Sequence, residues 1–172
     1  MTRLSALVQE ALDQLGWQGD LTLDEASGTL RFGSMILIQD QPCELFIDTH
    51  EESDFIGVYY YPPFRTKADC YPETCMLINA INNRTRHGHL EILRSNGRLR
   101  MVVSANVEGA SPTGVFVAQM ISCGADILSD WMGELAAVAL GNRRADDVLA
   151  ELEQDAVPPT APAEEEGAAC TG

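Results

Sequence analysis

The stretch HGHLEILRSNGRLRMVVSA, residues 87–105, decides the fold, because it specifies a hairpin and the direction in which each of its side chains faces. Asn96-Gly97 is a two-residue turn signal, since a type I′ turn needs positive φ at both central positions and these residue types tolerate it. A turn there pairs Ser95 with Arg98, Arg94 with Leu99, Leu93 with Arg100, Ile92 with Met101, Glu91 with Val102 and Leu90 with Val103. Leu90, Ile92, Leu99, Met101 and Val103 then share one face. His89, Glu91, Leu93, Arg98, Arg100, Val102 and Ser104 share the other. A slip of one residue would exchange the faces, so burial specifies the pairing. The hairpin therefore belongs to an antiparallel sheet that is covered on one side and largely wet on the other.

Upstream, residues 21–61 carry the same period of two. Thr29–Phe32, Met35–Gln39, Cys43–Thr49 and Phe55–Tyr61 are rich in β-branched and aromatic residues, with breaks expected at Gly33-Ser34, Asp40-Gln41-Pro42 and His50–Asp54. Pro62-Pro63 closes the last strand, because proline has no N–H for a ladder. Three or four strands with such short connections read as an antiparallel meander.

Helical spacing occupies the remainder. Residues 3–15 place Leu4, Leu7, Val8, Ala11, Leu12 and Leu15 on one stripe, with Thr2 positioned to cap and Gly16 to end the helix. A second helix is expected over 69–84, capped by Asp69, with Pro72 in its first turn and Leu77, Ile78 and Ile81 inward. The longest begins at Ser111-Pro112 and runs to Gly141, with Val115, Phe116, Met120, Ile121, Ile127, Leu128, Trp131, Leu135, Val138 and Ala139 keeping a core-facing period. Residues 142–152 suit a short terminal helix, and beyond Val157 the Pro-rich, acidic composition is that of a disordered tail. The order helix, strands, helix, hairpin, long helix (α-β-β-β-α-β-β-α) is that of an α+β fold, an antiparallel sheet with helices packed on one face. One domain is expected over 1–149 and an acidic tail over 150–172.

Charge limits the partners. The 172 residues hold 11 basic and 26 acidic side chains, a net of -15, with a single lysine at Lys67. Six of the acids lie after Leu149, so the body still carries about -9. Such a surface repels phosphate backbones, which disfavours nucleic acid and anionic membranes. No apolar run approaches the roughly 18 residues of a membrane span, and the first residues alternate polar and apolar, unlike a signal peptide. A cytoplasmic location is the expectation. Five cysteines, at 43, 70, 75, 123 and 170, make an odd count without a C-x-x-C, so reduced thiols are expected. Cys123 falls in the core period of the long helix.

Three features in this order resemble the bacterial YbjN-domain family. They are Cys75–Asn83 (CMLINAINN), the Gly88-His89-Leu90-Glu91-Ile92 strand with its Asn96-Gly97 turn, and the last helix with Ala125-Asp126 and Leu140-Gly141. The resemblance covers roughly residues 3–141. It implies a fold similar to class I type III secretion chaperones and a role as a sensory transduction regulator, and it carries no catalytic motif. Related chaperone-like folds dimerise through the second helix and adjoining strands, so the resemblance also implies a homodimer, here through helix 69–84 with Met76, Ala80 and Asn83 on a flanking face.

The residues agree with a non-catalytic role. Neither a nucleophile elbow, a zinc-protease motif, a Walker loop nor a dinucleotide fingerprint occurs, and no cofactor is expected. His87 and His89 are two apart, as strand metal ligands sometimes are, with Glu91 next along, but no further ligand is identifiable and the pair reads as exposed polar residues. Cys70 and Cys75 flank a helix start, where a dipole can favour a thiolate, yet no basic neighbour supports that use. The amides of Asn79 and Asn82 are expected to tie their helix to a loop or strand edge. Tyr59 and Tyr61 share a strand face, and with Leu93, Val102 and Asn79 they form the candidate protein-contact surface. The expected function is thus a protein-binding module, chaperone-like or regulatory, for an unidentified protein client. The alternative is a small metal- or ligand-dependent enzyme or sensor built on His87, His89 and nearby acids.

Overall fold

A computed structural model describes residues 2–25 and 27–155. Helix α1, Arg3–Gln14, is followed by strands β1 (Thr22–Asp24), β2 (Thr29–Ile38), β3 (Gln41–His50) and β4 (Phe55–Tyr61), then α2 (Tyr71–Asn82), β5 (His89–Leu93), β6 (Arg98–Asn106), α3 (Gly114–Ala139) and α4 (Ala145–Asp155). All six strands form one antiparallel sheet in the order β1-β2-β3-β4-β6-β5. The α+β class with one helix-covered face is as read; the short terminal helix expected over 142–152 is α4, and a short β1 is added to the sequence-derived order. Helix α4 crosses the expected domain boundary at 149, and the rest of the expected tail, 156–172, lies outside the described residues.

Alternation explains the layers. Cys43, Leu45 and Ile47 of β3, Ile56, Val58 and Tyr60 of β4, and Leu99, Met101 and Val103 of β6 all point to the helical side and are buried. There they meet Leu4, Val8, Ala11 and Leu12 of α1, Leu77, Ile78 and Ile81 of α2, and Val117, Ile121, Leu128 and Leu135 of α3 in one hydrophobic cluster. The Tyr60 hydroxyl donates to the Ile121 carbonyl, and a Cβ at Gly124 would come within 2.5 Å of the Tyr60 ring, so α3 lies close on the sheet at that point. Burial pushes the Tyr60 phenol up, helped by Asp126.

Helix ends are satisfied from far along the chain. Glu51 Oε1 accepts from the Leu4 and Ser5 N–H groups at 2.9 and 3.2 Å, so the start of α1 is capped from the β3–β4 turn as well as by the Thr2–Ser5 pair. Glu10 of α1 accepts from Gly114 N–H at 3.1 Å, which starts α3 after Thr113 rather than at the expected Ser111-Pro112. The expected Asp69 cap is likewise displaced: a short 3₁₀ turn occupies Ala68–Cys70, and α2 starts at Tyr71 with Pro72 in its first turn. Val115, read as core, is 50% exposed.

Three strand details differ from the expectation. Gly33-Ser34 does not break the chain; β2 runs unbroken through it, and Gly33 leaves room for the Phe46 ring, 3.3 Å from where a Cβ would stand. The reversal into β3 is a two-residue turn at Gln39 and Asp40, with φ of +48° and +60°. In the opening hairpin the pairs are Leu93 with Arg98, Ile92 with Leu99, Glu91 with Arg100, Leu90 with Met101 and His89 with Val102. The register is thus two residues from the expected one, and the loop is four residues, Arg94–Gly97, with only Gly97 at positive φ. The N–H groups of Asn96 and Gly97 both bond the Leu93 carbonyl, and Asn96 Oδ1 accepts from Arg98 N–H at 3.0 Å, which closes the longer loop. A shift of two leaves every side chain on its expected face.

Candidate functional site

The sheet face away from the helices is built from the positions that alternate with the core. Arg31 and Gly33 of β2, Glu44, Phe46 and Asp48 of β3, Gly57, Tyr59 and Tyr61 of β4, Arg98, Arg100 and Val102 of β6, and His89, Glu91 and Leu93 of β5 share it. Glycines at 33 and 57 give room for aromatic rings: Phe46 lies beside Gly33, and the Tyr59 ring lies across Gly57. Phe46 and Tyr61 meet edge to face at 5.8 Å.

Each of the three arginines on this face stands over a ring and engages a carboxylate. Arg31 is 5.3 Å above Phe46 and grips Asp48 with two bonds of 2.6 and 2.7 Å, its third nitrogen reaching Asp24 at 2.9 Å. Arg98 is 4.3 Å above Tyr61 and bonds Glu44 at 2.8 Å. Arg100 lies 5.1 Å above Tyr59, pairs with Glu91 directly across the hairpin, and donates to the Tyr61 hydroxyl at 3.3 Å. The hydrogen bonds that Arg31 donates to Asp48 hold its guanidinium above its usual value, and desolvation followed by the Asp48 charge pushes the Tyr59 phenol up. The result is a layer of rings and paired charges that, among the described residues, no helix covers.

The candidate surface residues divide. Tyr59, Tyr61 and Leu93 are half-buried on the open face, and Val102 is buried there between its strand neighbours Tyr59 and His89. Asn79 is exposed on α2, behind the sheet, and does not join them. Phe46, Arg31, Arg98 and Arg100 belong to the layer and were not singled out in the sequence. The signal available was parity, since each lies an even number of residues from a flagged position or its strand partner.

The shared face of His87 and His89 is not realised. Gly88 adopts φ +74°, which interrupts the alternation. His89 stands on the open face opposite Val102, whereas His87 lines a cavity of about 210 Å³ on the helical side with Val103, Phe116, Gln119, Met120 and Cys123. Among the described residues no group of three or more His, Cys, Asp or Glu side chains is placed to hold a metal. Nor is a thiolate favoured. Desolvation and the adjacent Asp69 push the Cys70 thiol up, and Cys123, half-buried rather than core, is pushed up by desolvation and Asp126. Cys43, Cys70, Cys75 and Cys123 are free thiols.

An antiparallel sheet backed by helices, with a ring-and-arginine layer on its other face, defines an α+β protein. The chain belongs to the YbjN family, described as "Putative bacterial sensory transduction regulator", which it matches over residues 5–137. Among solved structures it is similar to YbjN from E. coli, described as a putative transcription regulator, at 15% identity and a TM-score of 0.50, covering 75% of this chain and 91% of that one. It is also similar to a chain in the crystal structure of the ExsC-ExsE complex, at 14% identity and a TM-score of 0.55, covering 78% and 97%. No curated protein matches it in sequence. At these identities the likeness is one of fold. Among the described residues no helix is long and apolar enough to cross a membrane.

Proposed function

We propose that the chain is a non-catalytic protein-binding module, chaperone-like or regulatory, that acts in the cytoplasm as a homodimer and holds a protein client against the open face of its sheet. The observation that carries this reading is the layer itself: Tyr59, Tyr61 and Phe46 interleaved with Arg31, Arg98 and Arg100, uncovered by any helix among the described residues. Tyrosine and arginine are the residue types that supply most binding energy at protein interfaces, because each offers a broad apolar surface together with a directional polar group. Their partners Glu44 and Glu91 hold the arginines in place before a client arrives, which lowers the ordering cost of binding. A protein of similar fold occurs in a two-protein complex, which supports the reading. The metal- or ligand-dependent alternative needed His87 and His89 on one side of the strand, and Gly88 sets them on two.

The test is affinity purification of the full chain from its native host beside Tyr61→Glu and Arg98→Glu. The expected result is a stoichiometric partner protein with the unaltered chain and roughly tenfold less with either variant, as for other interface anchors. Equal recovery with the variants sinks the reading. A stoichiometric metal or small molecule in native mass spectra of the purified protein would move the balance to the alternative.

A further inference from the structure

The sheet has two edges, and the chain treats them differently. On the β5 edge, the Asn82 amide bonds the outward N–H and C=O of Leu90, so a side chain occupies the place of another strand. On the β2 edge, β1 pairs only with Thr29–Arg31, and among the described residues no strand or loop pairs with the outer side of Phe32–Ile38. The two-residue turn at Gln39-Asp40 makes Ile38 and Gln41 the closing hydrogen-bonded pair. Alternation then turns the N–H and C=O of Gly33, Met35 and Leu37 outward. Pro42, paired with Leu37, fits this assignment because it has no N–H to offer β2.

The side chains sharpen the contrast. Met35 is 59% exposed and Leu37 72% exposed, both on the open face. Edge strands are ordinarily blunted by lysine, proline, bulges or inward charges, and Phe32–Ile38 has none of these. The chain around it carries a net charge of -15, so two copies repel over most of their surfaces and can approach along a strip that bears no charge.

We propose that this strip is the seam of the homodimer, with β2 of one protomer pairing antiparallel to β2 of a second copy about a two-fold axis through Met35. The inference rests on the homodimer of the proposed function and moves its contact from helix α2 to the sheet edge. Self-pairing centred on Met35 sets Met35 opposite Met35 and Gly33 opposite Leu37, so every outward residue meets an outward residue and each pair exchanges both its N–H···O bonds. Each exposed Leu37 then falls opposite a glycine, where the missing side chain leaves the edge of the Phe46 ring for it to cover. The axis stands perpendicular to the sheet. Two six-stranded sheets therefore become one, with both ring-and-arginine faces on the same side and all helices on the other.

A seam this short lies at the small end of specific interfaces, below about 1,200 Å² in total, so the dimer is expected to dissociate within the micromolar range. Sedimentation equilibrium of the full chain tests it, with Met35→Pro and Met35→Lys as variants. The proline removes a backbone donor that is unpaired in the protomer, a substitution edge strands tolerate, and the lysine sets like charges opposite each other across the axis. The expected result is a concentration-dependent dimer for the unaltered chain and self-association weakened roughly tenfold or more in both variants, with native circular dichroism in the lysine variant. A dimer that both variants leave intact overturns the seam while the homodimer stands. A chain that stays monomeric throughout the micromolar range overturns the homodimer and the seam together, and leaves the client-binding face to its own test.

Discussion

The side-chain amide of Asn82 holds the main chain of Leu90 by two hydrogen bonds, donating to its carbonyl at 2.9 Å and accepting from its N–H at 2.8 Å. One polar side chain near the end of α2 thus fixes the height of the helix against β5 and satisfies backbone groups of the sheet's outer strand. Asn82→Ala leaves both Leu90 groups without a partner in a partly buried place, and the expected loss is about 1–3 kcal/mol in urea unfolding. Asn79→Ala, one turn earlier on an exposed position, is expected to stay within about 0.5 kcal/mol. Equal losses at the two positions would contradict the bracing role.

Gly97→Val tests the hairpin loop. Gly97 sits at φ +67°, where a β-branched residue is strained, and a Cβ there would lie 2.8 Å from the Thr66 carbonyl oxygen. The Thr66 N–H also bonds the Gly97 carbonyl at 2.9 Å, so the segment before α2 moves if the loop moves. The expected cost is at least about 2 kcal/mol, a fall in Tm of about 4 °C or more. Gly97→Ala is expected to lose less, because it meets the same carbonyl without the branched chain. A Tm unchanged in both variants would refute the loop conformation.

What was legible follows from period and what was not follows from distance. The faces of β5 and β6 were readable because alternation is a property of neighbours, whereas a register shift of two preserves every face and leaves no mark in the burial pattern. Gly33 read as a break because glycine commonly punctuates strands, and its actual cause, the Phe46 ring, lies across a strand pair. The turn at Gln39 and Asp40 lacks the usual glycine, so its positive φ values gave no local sign. The start of α3 is settled by Glu10, over a hundred residues upstream in the chain. The candidate site shows the same division. Tyr59 and Tyr61 were evident from their spacing, while Arg31 and Phe46 joined them only once the strand pairings were known. His87 left the strand face through the single backbone angle at Gly88.

Arg31 gives a test of the open face's internal bonding. Asp48 is 6% exposed and its carboxylate is held by two Arg31 nitrogens, so Arg31→Leu strands a charge at the sheet surface. The expected loss is about 2–3 kcal/mol, below that of a fully buried pair because the arginine itself is partly exposed. Adding Asp48→Leu is expected to recover part of the loss, since removing both partners costs less than orphaning one. Arg143→Ala, which breaks an exposed pair of 2.7 Å with Glu151, is expected to cost no more than about 1 kcal/mol. A double-mutant cycle with no coupling between Arg31 and Asp48 would count against the bidentate pair.

Alkaline pH is expected to destabilise the fold through its core strand. Cys43 is fully buried on β3, and burial pushes its thiol from an ordinary 9.0 up to about 11. In the unfolded chain the same thiol loses its proton near 9, so between 9 and about 11 the unfolded state releases a proton that the folded state retains. The stability held by the neutral thiol is therefore complete below about pH 9 and drains as pH rises through that window. Tyr60, whose phenol burial also pushes up, extends the loss to higher pH. Cys43→Ala lowers stability at neutral pH by opening a small cavity, but it removes this titration. The gap in urea midpoint between the two proteins is accordingly expected to narrow from pH 9 to about 11. A gap that stays constant would show that the thiol does not titrate differently on folding. Iodoacetamide labelling supplies an independent reading: exposed Cys75 is expected to react in the native protein while Cys43 waits for unfolding.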